Sequence, residues 1–136
     1  MRNADHLCEI LKPDFVFTDE RGTIFQLIHE GFRQANAVFT KKGSERGGFH
    51  YHKINEELFF VMDGKIKVRL RLEQQEEEYL FEKGDMFLIR KNVRHDFLFL
   101  EDTLLVGFYD RGVELPDGGK DIYHDESVPC EPDPGA

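Results

Sequence analysis

Six histidines are spread through this chain, and three of them stand where an imidazole can do chemistry. His50 and His52 are two residues apart, so on a strand their rings project from one face, about 6.6 Å apart along the backbone. Glu57 follows at the head of the next apolar run, and His95 opens a later one whose Phe97 and Phe99 share its face. Borderline nitrogen and oxygen donors of this kind suit a divalent transition metal (Zn, Fe, Mn, Ni or Co). The same imidazoles can also move protons near neutral pH. Glu56 competes with Glu57 for the carboxylate position. Strand parity decides for Glu57, which shares a face with Phe59 and Val61, and turns Glu56 toward solvent.

Short strands must hold these groups. Ile66, Val68, Leu70 and Leu72 alternate with Lys65, Lys67, Arg69 and Arg71, the period-2 pattern of a strand with one wet and one dry wall. Further strands are expected over 15–17, 23–28, 35–40, 57–62, 79–81, 86–89, 95–100 and 103–109. Residues 41–48 read as a polar loop, and Asp63-Gly64 as the two-residue turn of a hairpin joining 57–62 to 65–73. So many strands in so few residues predict an all-β chain closed as a jelly-roll barrel. Residues 1–14 form a short N-terminal segment, 15–110 the barrel, and 111–136 an acidic tail that gains any order from the barrel or a partner subunit.

The chain has 136 residues, enough for one domain. With 18 Lys plus Arg against 27 Asp plus Glu, its formal charge is −9, which argues against general nucleic-acid binding. No apolar run is long enough for a membrane helix and no signal-peptide core is visible, so a cytoplasmic protein is expected. Cys8 and Cys130 lie far apart in sequence, which excludes a disulfide framework or a cysteine-rich zinc site.

His50-Tyr51-His52, then Glu57 and Gly64, resemble the first signature motif of the cupin superfamily, and Gly84 to His95 resembles the second. The resemblance implies a double-stranded β-helix barrel with His50, His52, Glu57 and His95 as metal ligands. Glu45-Arg46-Gly47-Gly48-Phe49-His50-Tyr51-His52-Lys53 is similar to cupins that work on nucleotide-linked sugars: the 3,5-epimerases and 3,4-ketoisomerases of dTDP-sugars and the cupin domain of capsular-polysaccharide synthesis enzymes. That similarity implies an isomerase or epimerase of a nucleotide-linked keto-sugar in polysaccharide biosynthesis. His50 and His52 would serve acid–base chemistry or metal ligation, Tyr109 would be a candidate acid, and Arg46 would contact substrate phosphate. Lys53 and Arg94 are further candidates for the anionic sugar nucleotide, and Arg90 and Lys91 lie beside Arg94. An iron-dependent dioxygenase and a non-catalytic ligand-binding cupin use the same ligands and stand as alternatives. Phe49, Phe59, Phe97 and Phe99 are the candidates to line a pocket. The basic stripe from Lys65 to Arg71 is expected to pair with Glu76, Glu77 and Glu78 across a hairpin. A homodimer is the expected assembly.

Overall fold

Ile66, Val68 and Leu70 are fully buried, while Lys65, Lys67 and Arg69 between them remain partly exposed. The dry wall of this strand faces a second sheet, and the rest of the fold follows from that packing. The structure, a computed structural model, describes residues 6–125. It is an all-β jelly roll of eleven strands: β1 (Cys8–Leu11), β2 (Phe15–Asp19), β3 (Gly22–Gln26), β4 (Gln34–Thr40), β5 (Glu45–His50), β6 (Glu57–Asp63), β7 (Lys65–Leu72), β8 (Gln75–Glu82), β9 (Met86–Ile89), β10 (Arg94–Phe99) and β11 (Thr103–Tyr109). Among the described residues no helix is long and apolar enough to cross a membrane. Cys8 is a buried thiol whose pKa burial pushes up to about 12; Cys130 lies outside the described residues.

One sheet has the order β1-β9-β6-β11-β4 and the other β5-β10-β7-β8, with β2 and β3 forming a separate ribbon. Between the two large sheets lies an aromatic core. Phe87 stacks on Phe81 at 4.1 Å, and Phe59 lies 5.2 Å from Phe87 and 5.0 Å from Phe97. Each buried phenylalanine contributes about 1.5–3 kcal/mol of transfer free energy. Phe59, Phe97 and Phe99 are therefore core residues, and of the four proposed wall aromatics only Phe49 lines a cleft.

Two local expectations are corrected. Asp63-Gly64 does not close a hairpin, because β6 pairs with β9 and β11 whereas β7 pairs with β8 and β10. The dipeptide is a corner that carries the chain from one sheet to the other. Gly64 has φ 103°, and a Cβ there would collide with Thr103 Oγ1 and the Asp102 carbonyl. A turn-forming pair reports only local backbone conformation, which a corner and a hairpin can share. The stretch read as a loop over 41–48 contains the first four residues of the six-residue β5. Its glycines suggest irregularity correctly, but the irregularity is a bulge inside a strand: four steps from Arg46 to His50 face two steps from Phe97 to His95. The true hairpin is β7–β8, which places Arg71 opposite Glu76 and Arg69 opposite Glu78. Arg71 Nε reaches Glu76 at 2.6 Å and Lys67 Nζ reaches Glu78 at 3.4 Å, as expected of those two. Glu77 instead lies opposite Leu70 and accepts from the Leu7 N–H and the Tyr79 hydroxyl.

Both ends of the described residues attach to the barrel. Cys8–Leu11 is the edge strand β1, paired with β9. Residues 113–125 return across the barrel, with Asp121 fully buried and Tyr123 bridged to Tyr51 through two backbone hydrogen bonds of 3.0 Å.

Candidate functional site

Three strand ends deliver the buried polar groups. β5 ends at His50, directly opposite His95 of β10, and β6 begins at Glu57, opposite Tyr109 at the end of β11. His52 lies two residues beyond β5. His50 and His95 are fully buried, and His52 and Glu57 nearly so. Ring centroids are 4.5 Å apart for His50–His95, 5.2 Å for His50–His52 and 5.3 Å for His52–His95. One nitrogen from each ring lies within 4.8 Å of the others. Glu57 Oε1 is 3.1 Å from His52 Nε2 and 3.9 Å from His95 Nε2. The four groups named from the motifs thus converge. Glu56, half-buried outside the cluster, engages Asp110 through its backbone instead.

Backbone carbonyls orient two of the rings. His52 Nδ1 donates to the Asp121 carbonyl at 2.6 Å, and His95 Nδ1 lies 3.5 Å from the Val93 carbonyl. With its proton on Nδ1, an imidazole presents the Nε2 lone pair to the centre, the orientation metal-binding histidines use. Burial alone would lower the His52 pKa, but the Glu57 carboxylate and the Asp121 carbonyl outweigh it, so the imidazolium is favoured. Three such imidazoles and one carboxylate fit a divalent transition metal by donor type and by mutual reach.

The bulge in β5 shapes the entrance. Gly47, Gly48 and Phe49 have φ of 101°, 54° and 60°. A Cβ on Gly47 would sit 2.7 Å from the His95 carbonyl oxygen, so glycine lets β5 lie close against β10 beside the cluster. The Gly48 N–H donates to Asp96 Oδ1 at 3.1 Å, and buried Asp96 is itself paired with Arg69. The bulge turns Phe49 outward beneath Arg71, whose guanidinium lies 3.8 Å from the ring centroid. A cleft of about 700 Å³ opens there, with Phe49, Arg71, Lys91, Arg94 and His124 in its wall.

The remaining candidates divide. Tyr109 is buried with its ring 5.1 Å from that of His52, so it belongs to the cluster. Arg94 and Lys91 line the cleft. Arg46 instead turns its Nε to Thr40 Oγ1 at 2.8 Å and does not line it. Lys53 lies over the Tyr123 ring at 4.2 Å. Arg90 reaches back to Glu9 of β1 at 2.9 Å, away from Arg94. Tyr51 lies under Arg94 at 3.6 Å, beside Tyr123. His124 and Asp121 were not singled out: His124 stands 6.0 Å from His50, and Asp121 orients His52. Neither is part of a motif; their only sequence signal was residue type within an acidic stretch.

Sequence comparison then settles the family. The cupin domain family matches residues 37–106, just over half of the chain. The protein is a cupin. No curated protein matches it by sequence. Solved structures share its fold. A 3,4-ketoisomerase from Helicobacter canadensis superimposes with a TM-score of 0.72 at 20% identity, over 87% of this chain and 90% of its own. QdtA, a sugar 3,4-ketoisomerase from Thermoanaerobacterium thermosaccharolyticum in complex with TDP, gives 0.68 at 16% identity, over 77% of this chain and 81% of its own. The dTDP-4-dehydrorhamnose 3,5-epimerase from Sulfolobus tokodaii gives 0.68 at 23% identity, over 79% of this chain and 72% of its own. At these identities the likeness to this cupin is one of fold.

Proposed function

We propose that this cupin isomerises or epimerises the keto-sugar of a nucleotide-linked sugar. The observation that carries the reading is a buried cluster of proton-carrying groups behind a cleft walled by arginine and lysine. The structural neighbours support it, since those described above are named as ketoisomerases and an epimerase.

A proton beside a ketone becomes removable when a base takes it and a donor holds the growing enolate oxygen. His50 is the base. Its ring lies between buried His95 and His124 of the cleft wall, so it is the cluster histidine nearest the entrance. His52, whose pKa Glu57 and the Asp121 carbonyl raise despite its burial, is the hydrogen-bond donor to that oxygen. Tyr109 beside His52 is the acid that returns a proton. Arg94 and Lys91 attract the diphosphate, and Phe49 offers an aromatic face to the nucleoside or the sugar.

The same donor set also suits a metal. His50, His52, His95 and Glu57 would hold it, and it would supply Lewis-acid polarisation of a carbonyl. A ligated His50 cannot be the base, so metal content and catalysis are expected to diverge if His50 moves the proton. The test incubates the protein with TDP-4-keto-6-deoxyglucose and follows the sugar ring by proton NMR, with and without added Zn, Mn or Fe. A shifted keto group or an inverted ring carbon supports the reading. Unchanged substrate under every metal condition contradicts it. Oxygen uptake with iron would move the protein to the dioxygenase class.

A further inference from the structure

Arg94 is already occupied. Its Nε donates to Asp125 Oδ2 at 2.6 Å and its Nη2 to Asp125 Oδ1, while Nη1 donates to the Asn92 carbonyl. Every guanidinium nitrogen therefore has an acceptor, and Tyr51 covers one face at 3.6 Å. A side-on, two-bond grip by a carboxylate uses the same geometry by which arginine holds a phosphate. Both residues stand in the wall of the cleft beside Lys91 and Arg71.

The segment that carries Asp125 is anchored at Asp121 and Tyr123. The Asp121 carboxylate accepts the backbone N–H groups of Lys53, Ile54 and Asn55 at 2.9–3.0 Å, and Tyr123 is bridged to Tyr51. By contrast, the Asp125 side chain is 55% exposed, and among the contacts above only Arg94 holds it. Residues 121–125 thus form a strap with a buried root and, at Asp125, an exposed carboxylate that can exchange partners.

We propose that Asp125 is an internal stand-in for the ligand's phosphate: an incoming anion takes Arg94 from Asp125, whose side chain swings away as the ligand binds. Only the identity of that anion, a nucleoside diphosphate, rests on the function proposed above. The competition lowers apparent affinity by the fraction of time Arg94 is held. His124 precedes Asp125, so the same exchange frees the cleft-wall imidazole that stands 6.0 Å from His50.

Calorimetric titration of the full chain with TDP, and separately with inorganic pyrophosphate, tests this. Wild type, Asp125→Asn, Arg94→Ala and the double variant are compared after thermal melts confirm folding. Asp125→Asn is expected to tighten both anions by about three- to tenfold. Arg94→Ala should weaken them, and the double variant should match Arg94→Ala, because Asp125 acts only through Arg94. Equal TDP affinity in wild type and Asp125→Asn overturns the strap while leaving the sugar-nucleotide reading intact. So does weaker binding in Asp125→Asn, or a gain that persists without Arg94. Tighter pyrophosphate in Asp125→Asn, with TDP no better than pyrophosphate, upholds the strap and removes the nucleotide. No binding of either anion by any variant overturns both.

Discussion

His52 has both ring nitrogens committed, one to a backbone carbonyl and one toward a carboxylate, in a place water hardly reaches. Such a ring is either an imidazolium or a metal ligand with its second nitrogen tethered. Removing it withdraws one donor and leaves Glu57 beside empty space. His52→Ala is expected to abolish most bound metal after loading with Zn or Mn, read as ions per chain by plasma mass spectrometry. Full stoichiometry in that variant would contradict the ligand assignment. Glu57→Gln keeps the shape and removes the charge; with a buried charge partner lost, a destabilisation of about 3–5 kcal/mol is expected in urea melts. At this scale the sequence was most legible where parity alone decides. Two-residue alternation turned Glu57 inward and Glu56 away, and the structure agrees.

Elements place these residues, and their reasons were harder to read. The β5 bulge brings Gly47 against the His95 carbonyl, so Gly47→Ala is expected to cost about 1–3 kcal/mol through strain at positive φ and the displaced strand. A melting temperature within a degree of wild type would contradict that. The strap root makes a pH-dependent contribution. Burial would raise the Asp121 pKa, but the N–H donors of Lys53, Ile54 and Asn55 outweigh it and hold it below the ordinary 3.8. A depressed carboxylate stabilises fully above its unfolded value and loses that stabilisation as pH falls through its folded value. Asp121→Asn should therefore destabilise by about 1.5–3 kcal/mol near pH 7, with the gap to wild type narrowing below about pH 4. A constant gap would show that the charge is not what holds the N–H groups of Lys53, Ile54 and Asn55. Neither element was legible in advance. Polar glycine-rich sequence reads as loop when its partner strand is unknown, and Asp121 gains its donors only from residues some 67 positions away. Arg90 was misplaced for the same reason: its partner Glu9 belongs to a strand that pairs with β9 across most of the chain.

For the whole molecule, the barrel closes its core but leaves apolar surface on the β2–β3 ribbon. One face of the ribbon packs toward the large sheet, where Phe25 lies 5.3 Å from Phe60. Phe15, Phe17 and Ile24 on the other face are 48%, 50% and 60% exposed, and Phe39 on the edge strand β4 is 77% exposed. Together they offer on the order of several hundred Å², a large part of the roughly 800 Å² per partner that a stable dimer buries. We expect a second copy to cover it. Sedimentation should give twice the chain mass, and Ile24→Asp should shift it toward the monomer; a monomeric wild type at micromolar concentration would contradict the dimer. The overall architecture was legible because strand rhythm and the two motifs both point to one fold, whereas the activity depends on how the buried cluster meets its cleft. The direct measurement is solvent-hydrogen exchange: TDP-4-keto-6-deoxyglucose in D₂O with wild type and with His50→Asn, followed by mass spectrometry of the sugar. Deuterium entering a ring carbon with wild type, and falling at least a hundredfold with His50→Asn, is the expected result. Exchange that is absent in wild type, or equally fast in both, would contradict the account.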